Sequence, residues 1–396
     1  LNPLRRHWTL DPEIRFLNHG SFGATPKPVL ALQQELRARI EREPVLFLAR
    51  ELEQHVDAVR AELAPFLGAA PEDLVPVPNA TTGVNAVLGS LRFQPGDEIL
   101  LTNHGYNACR NAAEHAAGRC GARVVQAQVP FPLRSADEVL EAVHAAVTPR
   151  TRLALLDHVT SPTGLVFPIA ELVRGLRERG VETLVDGAHA PGMLSLDLGA
   201  LDAAYYTGNL HKWVCAPKGA AFLHVRRELQ PSIRPPVLSH GANSPRKDRS
   251  RFRLEFDFTG TDDPTAFLSV PACLRFLGNL FPGGWDELRR RNRELALRAR
   301  SRLCQALATP PPAPEAMIGS LASVPLPVGR NEGRPDAFAV DPLQRVLFEQ
   351  HRIEVPVSTW PAPPRRLVRV SAQAYNDFEE YEALAGALEQ PGIAGV

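Results

Sequence analysis

No two cysteines in this 396-residue chain are spaced to share a metal or a redox pair. The five (Cys109, Cys120, Cys215, Cys273 and Cys304) are scattered, with no Cys-x-x-Cys and no zinc-ligand spacing. A sparse, odd set fits free thiols in a reducing, cytoplasmic compartment and argues against a disulfide scaffold. Net charge is missing too: 44 basic and 44 acidic side chains cancel. No global field therefore draws the chain to nucleic acid or to an anionic membrane surface. No apolar run approaches the roughly 18 residues of a membrane span. The chain begins at Leu1 rather than Met, so an upstream segment is expected to have been removed, and what remains shows no signal-peptide pattern. Neither Gly-x-Gly-x-x-Gly after a strand nor Gly-x-x-x-x-Gly-Lys-Ser/Thr occurs, which argues against the common nucleotide-binding α/β sites.

What is present reads as an ordinary globular protein, 44% apolar and 22% charged, long enough for a large domain and a smaller one. After a Gly/Pro-marked loop (Asn18 to Pro28), Val29, Leu32, Leu36 and Ile40 recur at helical spacing, as do Leu52, Val56, Val59 and Leu63. Short apolar runs then alternate with helical patterns. Strands are expected at Leu74–Val77, Glu98–Thr102, Arg123–Val129, Arg152–Asp157, Thr183–Asp186, Ala203–Tyr206 and Ala220–Val225. Helices fit between them at Thr82–Leu91, Ala108–Ala117, Ala136–Ala146 and Ile169–Arg179. This alternation predicts an α/β fold with a mostly parallel seven-stranded sheet covered on both faces. A long Arg/Glu/Leu helix from Trp285, a Pro-rich linker and a mixed tail, with β-like segments near Ile318–Pro325, Ile353–Val357 and Leu367–Ser371, predict a small C-terminal α+β domain. The expected divisions are 1–28, an N-terminal segment contributing to the active site and the small domain; 29–284, the large domain; and 285–396, the small one. The densest basic stretch, Arg246 to Arg253, carries five cations in eight residues and reads as a solvated loop.

Two apolar runs carry the chemistry. One ends in Asp186, the other in Lys212, within Tyr205-Tyr-Thr-Gly-Asn-Leu-His-Lys-Trp213. Ligands of parallel sheets sit outside the carboxyl ends of the strands, where both residues and Asp157 fall. A lysine amine can hold an aldehyde as a Schiff base, and a carboxylate can keep a pyridine nitrogen protonated, a pairing that suits pyridoxal phosphate (PLP). Asn79-Ala-Thr-Thr-Gly83, between a strand and a helix, could offer hydroxyls and backbone N–H groups to a phosphate, or could be a plain helix cap supplied by Thr81 or Thr82.

These motifs resemble the class V aminotransferases of PLP fold type I. The likeness is carried by Thr207-Gly-Asn-Leu-His-Lys-Trp213 with Pro217-Lys-Gly-Ala-Ala-Phe-Leu223, and by Val185-Asp-Gly-Ala-His-Ala-Pro191. Leu17-Asn-His-Gly-Ser-Phe-Gly23, Asn79 to Gly83, Asn103-His-Gly-Tyr-Asn107, Asp157-His-Val-Thr-Ser-Pro-Thr-Gly164 and Arg369-Val-Ser-Ala-Gln-Ala-Tyr-Asn376 follow in the family's order. The pattern is most like the branch of isopenicillin N epimerase and its C–S-lyase relatives, and it spans nearly the whole chain.

The resemblance implies a role for each residue. Lys212 would hold the cofactor and carry protons at Cα, and Asp186 would face the ring nitrogen. Thr81, Thr82, Asn209 and His211 would hold the phosphate, and Tyr106, or less readily His104, would stack on the ring. His189 would pack beside the cofactor. Ser161 stands where relatives often place an asparagine near the ring hydroxyl. Arg369 would bind the substrate carboxylate, with Asn18 and His19 nearby. Thr261 would reach the phosphate of a partner subunit in a homodimer. The side-chain pocket would draw on Asn18–Ser21, Pro44–Arg50, the Ser239–Arg253 loop and the tail. No cysteine follows Cys304, which argues against the loop nucleophile of cysteine desulfurases, and Cys215 reads as a buried small residue.

The expected reaction removes the Cα proton of an amino acid. Epimerisation, C–S lysis of a cysteine derivative and, less readily, transamination are its possible ends. An epimerase needs a second proton donor, for which His19, His104 and Tyr106 are candidates; a lyase needs only Lys212. Another phosphate-binding α/β enzyme, or a noncatalytic PLP-binding protein, are the remaining alternatives. No metal, nucleic acid or membrane partner is expected.

Overall fold

The computed structural model describes residues 2–328 and 340–395; Leu1, Val396 and residues 329–339 of the expected small domain lie outside them. In chain order the strands are β1 (Arg15–Phe16), β2 (Leu74–Val77), β3 (Glu98–Thr102), β4 (Arg123–Ala127), β5 (Thr151–Asp157), β6 (Glu182–Asp186), β7 (Tyr205–Asn209), β8 (Ala221–Val225), β9 (Leu321–Pro325), β10 (Ile353–Glu354), β11 (Val357–Thr359) and β12 (Arg366–Ser371). Seven of them form one sheet in the order β2-β8-β7-β6-β5-β3-β4. Neighbours from β7 to β4 are parallel, while β8 runs against both β7 and β2. Every residue of β3, β7 and β8 is buried, which is why these strands read as unbroken runs rather than alternating ones. The chain builds β3 and β4 outward, then crosses back to β5 and continues the other way. Strand order thus reverses between β3 and β5, the position where such sheets open a ligand crevice.

A three-stranded antiparallel sheet, β11-β12-β9, packs under the helix Gly284–Ala306, which also contacts the helix Phe378–Leu388. The N-terminal segment runs between this sheet and the large one. β1 pairs with β10, the Leu17 amide donates to the Glu354 carbonyl at 2.9 Å, and the Ser371 amide donates to the Leu17 carbonyl at 2.9 Å.

Three local expectations are corrected. β7 does not stop at Tyr206 but continues through Thr207-Gly208-Asn209, although Gly208 and Asn209 are poor strand formers. A Cβ on Gly208 would lie 2.8 Å from both Phe222 and Pro191, so close packing selects the glycine. The expected strand Ile353–Val357 is split into β10 and β11 around Val355-Pro356, since proline cannot donate to a ladder. The basic stretch is not a freely solvated loop. Arg246 grips Glu53 at 2.6 Å, Arg249 grips Asp57 at 2.6 Å, and Arg253 also reaches Asp57. Three arginines therefore fasten this loop to the helix Leu52–Leu67.

Candidate active site

A cavity of about 410 Å3 opens at the carboxyl ends of β5, β6 and β7, within the size range of a cofactor site. Its lining includes Asp157, Asp186 and Asn209, which terminate those strands, and Lys212 just beyond β7. Asp157 and Asp186 are register partners, so two carboxyl groups share one patch. Asp186 is held by the Ala188 amide at 2.9 Å and by the Cys109 thiol at 3.1 Å. Burial, and then the neighbouring Asp186 carboxylate, push the Asp157 carboxyl well above its usual range.

Lys212 sits on a loop locked by its own backbone. The Leu210 and His211 amides both donate to the Ala220 carbonyl (3.0 and 3.2 Å), and the Cys215 amide donates to the Lys212 carbonyl at 2.8 Å. Cys215 adopts a φ of 58° to close this turn. Gly192 (φ 85°) and Gly23 let chain pass against it; a Cβ on Gly23 would come within 2.8 Å of the Lys212 carbonyl.

The Lys212 Nζ lies 3.0 Å from His189 Nε2, while the Trp213 indole donates to His189 Nδ1 at 3.4 Å. An indole N–H can only donate, so Nδ1 is the acceptor and the neutral ring carries its proton on Nε2. That proton points at Lys212, which can accept it only as an uncharged amine. Electrostatics agree: burial, reinforced by the Arg369 cation, brings Lys212 down to about 7. The result is a nucleophilic amine at neutral pH.

Arg369, on β12, is buried and reaches across to the large sheet. One of its NH groups donates to the Ser161 carbonyl at 2.6 Å and hydroxyl at 3.2 Å; the other donates to the Ser21 hydroxyl at 2.7 Å. Burial lowers it to about 10, which leaves it charged at neutral pH. Ser161 thus serves Arg369 while also lining the cavity.

The helix Ala80–Ser90 starts at the cavity wall. Asn79 is its cap, accepting from the Thr82 amide at 2.8 Å and the Thr82 hydroxyl at 3.1 Å. The Ala80 amide is taken by Asn209 Oδ1 at 2.8 Å. Thr82 is thereby turned to its own cap, and Thr81 is the threonine in the lining. The His211 Nδ1 is buried without a partner, and burial lowers that imidazole to about 4, so it offers no positive charge.

Several candidates lie elsewhere. His19 is behind the lysine loop, with Nε2 3.0 Å from the Lys212 carbonyl and Nδ1 2.7 Å from the Tyr375 hydroxyl; burial lowers it to about 3. Asn18 donates to Glu354 at 3.1 Å. His104 is enclosed by Thr163 Oγ1 at 2.7 Å, the Val129 carbonyl at 3.1 Å and the Trp360 ring. None of the three lines the cavity, whereas Tyr106, 46% exposed at its rim, does. Thr261 is exposed and does not line its own chain's cavity, and neither Pro44–Arg50 nor Ser239–Arg253 contributes to the lining. Reasoning from sequence passed over Asp157 as a site residue, Ser21 as the partner of Arg369, and Lys218. A polar residue at a strand's carboxyl end was the available signal for the first; cross-chain contacts left none for the others.

These groups fit pyridoxal phosphate: an uncharged lysine amine, a strand-end carboxylate, a helix start, and polar nitrogens of His211 and Arg369 that no protein group satisfies. Among the described residues no cluster of three metal-ligating side chains occurs, and no helix is long and apolar enough to cross a membrane. Comparison with known proteins points the same way. The chain is 39% identical to an isopenicillin N epimerase of Amycolatopsis lactamdurans, covering 98% of this chain and 97% of that protein. It is 34% identical to a probable chloroplastic L-cysteine desulfhydrase of Arabidopsis thaliana, over 96% and 83%. Its fold superposes with a TM-score of 0.80 on a C-DES mutant carrying glycine covalently linked to its PLP cofactor, at 24% identity and over 98% and 99% of the two chains. The family described as aminotransferase class-V matches residues 24–324, and the chain belongs to it.

Proposed function

We propose that the protein is a PLP-dependent enzyme that removes the Cα proton of an amino acid, with Lys212 as the base. The observation that carries this reading is the Lys212 amine held 3.0 Å from His189 Nε2 in a cavity floored by Asp186, where burial brings that amine down to about 7. The cofactor, when bound, supplies an electron sink for the breaking bond. The protein's share is positional. Lys212 holds the cofactor and then takes and returns the proton, and Asp186 faces the ring nitrogen. Tyr106 stands at the rim as a stacking surface, with Thr81, Asn209 and His211 at the phosphate end. Arg369 takes the substrate carboxylate with a planar fork already oriented by Ser161 and Ser21.

Geometry favours a one-base outcome: elimination from cysteine or an S-substituted cysteine, releasing the sulfur group and ending in pyruvate and ammonia. Both histidines weighed as a second proton donor, His19 and His104, are outside the cavity and already bonded. Epimerisation of an isopenicillin N-like amino acid is the second reading. It is supported by the 39% identity to an epimerase and by Tyr106, a remaining proton donor in the lining. Five free cysteines support a cytoplasmic setting, and the exposed Thr261 supports a homodimer in which each copy completes the other's phosphate end.

A proton NMR time course in D2O tests the reaction, with the PLP-loaded protein and a panel of L-amino acids that includes cysteine and bulky S-substituted cysteines. Pyruvate with a released thiol is the expected outcome. Exchange of the Cα signal with accumulating D-isomer and no pyruvate would replace elimination by epimerisation. No exchange with any substrate, together with no borohydride-fixed cofactor on Lys212, would sink the whole reading.

A further inference from the structure

The charges around the cavity leave one part of the cofactor without a partner. The reading above gives the ring nitrogen to Asp186, the substrate carboxylate to Arg369 and the aldehyde to Lys212. A phosphate monoester brings about −1.5 to −2 charges at neutral pH. The residues at that end, Thr81, Asn209 and His211, are neutral, because burial holds the His211 imidazole uncharged. The start of the helix Ala80–Ser90 supplies about half a positive charge, and two of its first amides are spent on Asn209 and Asn79. A dianion in a cavity screened from water needs more than this.

Lys218 lies in the same lining. It follows Pro217 and precedes Gly219, whose φ of 101° turns the chain back into β8. Its Nζ donates to the Gly23 carbonyl, and an ammonium has three donors, so two are left to point elsewhere. Its charge is close enough to His211 to help hold that ring neutral. Lys218 also lines a second, more open cavity of about 360 Å3 beside Thr25, Gln33 and Arg37. Arg37 is not a rival there, since Asp263 takes it at 2.8 Å. Apart from Lys212, which the cofactor consumes, Lys218 is, among the described residues, the one lysine or arginine in the lining of the site cavity.

We propose that Lys218 is the cation that neutralises the cofactor phosphate, anchored from behind by the Gly23 carbonyl. This assignment rests on the PLP reading above and adds to it the group that makes the site select a phosphorylated over an unphosphorylated pyridoxal.

The test compares equilibrium binding of PLP and of unphosphorylated pyridoxal, both followed by the absorbance of the lysine-bound cofactor. Lys218→Ala and Lys218→Gln should weaken PLP roughly 10–100-fold, the loss of one charge-assisted hydrogen bond, and leave pyridoxal within about 2-fold. Glutamine keeps a donor for Gly23 without the charge, so agreement between the two variants separates charge from the structural tie. Lys218→Arg should recover most of the PLP affinity. Equal loss for both ligands, or no loss for either, overturns the assignment. Wild-type protein that binds neither ligand would instead overturn the PLP reading on which it rests.

Discussion

Lys212 is chemically useful because of where its neighbours put their protons. An indole donor fixes the His189 tautomer, and that tautomer requires a neutral amine opposite. Folding lowers Lys212 from its ordinary value to about 7, so the reactive amine prevails above that pH and protonation suppresses it below. The rate at which cofactor-free protein takes up PLP should therefore rise with pH and level off through an inflection near 7. An inflection near the ordinary lysine value, measured by stopped-flow absorbance, would show the amine to be charged in the site. Lys212 and Asp186 stand out in the sequence because each closes an apolar run, whereas the roles expected of His189 and Arg369 come only from the family resemblance. Ser21 and Lys218 are not legible there, because their places come from contacts no spacing encodes, and of Asp157 only the strand-end position is legible. Asp157 matters through register with Asp186 on the next strand, and Ser21 through an arginine 348 positions away.

At the scale of elements, the helix Ala80–Ser90 and β7 are fitted as one unit. The Thr207 hydroxyl donates to the Phe222 carbonyl at 2.9 Å, and a Cβ on Gly83 would overlap that threonine. Glycine here lets the helix start sit against the strand end, where Asn209 catches the Ala80 amide. Gly83→Ala should push the helix start away from β7 and weaken cofactor binding by about 10-fold or more, while the far-ultraviolet circular dichroism stays unchanged; this is the scale of effect of a small misplacement at a site. Unaltered PLP affinity would show that the helix start plays no part in holding the phosphate. Sequence pattern located this helix but began it at Thr82, with Thr81 or Thr82 as the possible cap. Asn79 won because its side chain reaches the Thr82 amide from an extended backbone. The early end assigned to β7 has the same origin: Gly208 and Asn209 are poor strand formers by propensity, and tertiary fit overrides it.

For the whole molecule, the open question is how two copies would share two sites. Thr261 is exposed beside Asp262 and Asp263 and has no role within its own chain's cavity. If it completes the partner's phosphate end, inactive Lys212→Ala protein and impaired Thr261→Ala protein should rescue each other when dissociated and reassociated together. Random pairing places one intact site in half of the dimers, hence roughly a quarter of wild-type activity. A mixture no more active than its Thr261→Ala component would show that each cavity is complete within one chain.

The N-terminal segment has a consequence for how this protein is made. Leu17 and Gly20 bond to Ser371, Ser21 bonds to Arg369, and His19 supports the loop of Lys212. Residues 17–21 are thus closed against residues some 351 positions later, with Lys212 between them. A ribosome-bound chain can complete the large sheet before β12, which carries Arg369, has emerged. Were Arg369 to hold the substrate carboxylate, substrate capture would wait on β12, and a product truncated before it would keep Lys212 but lack that grip.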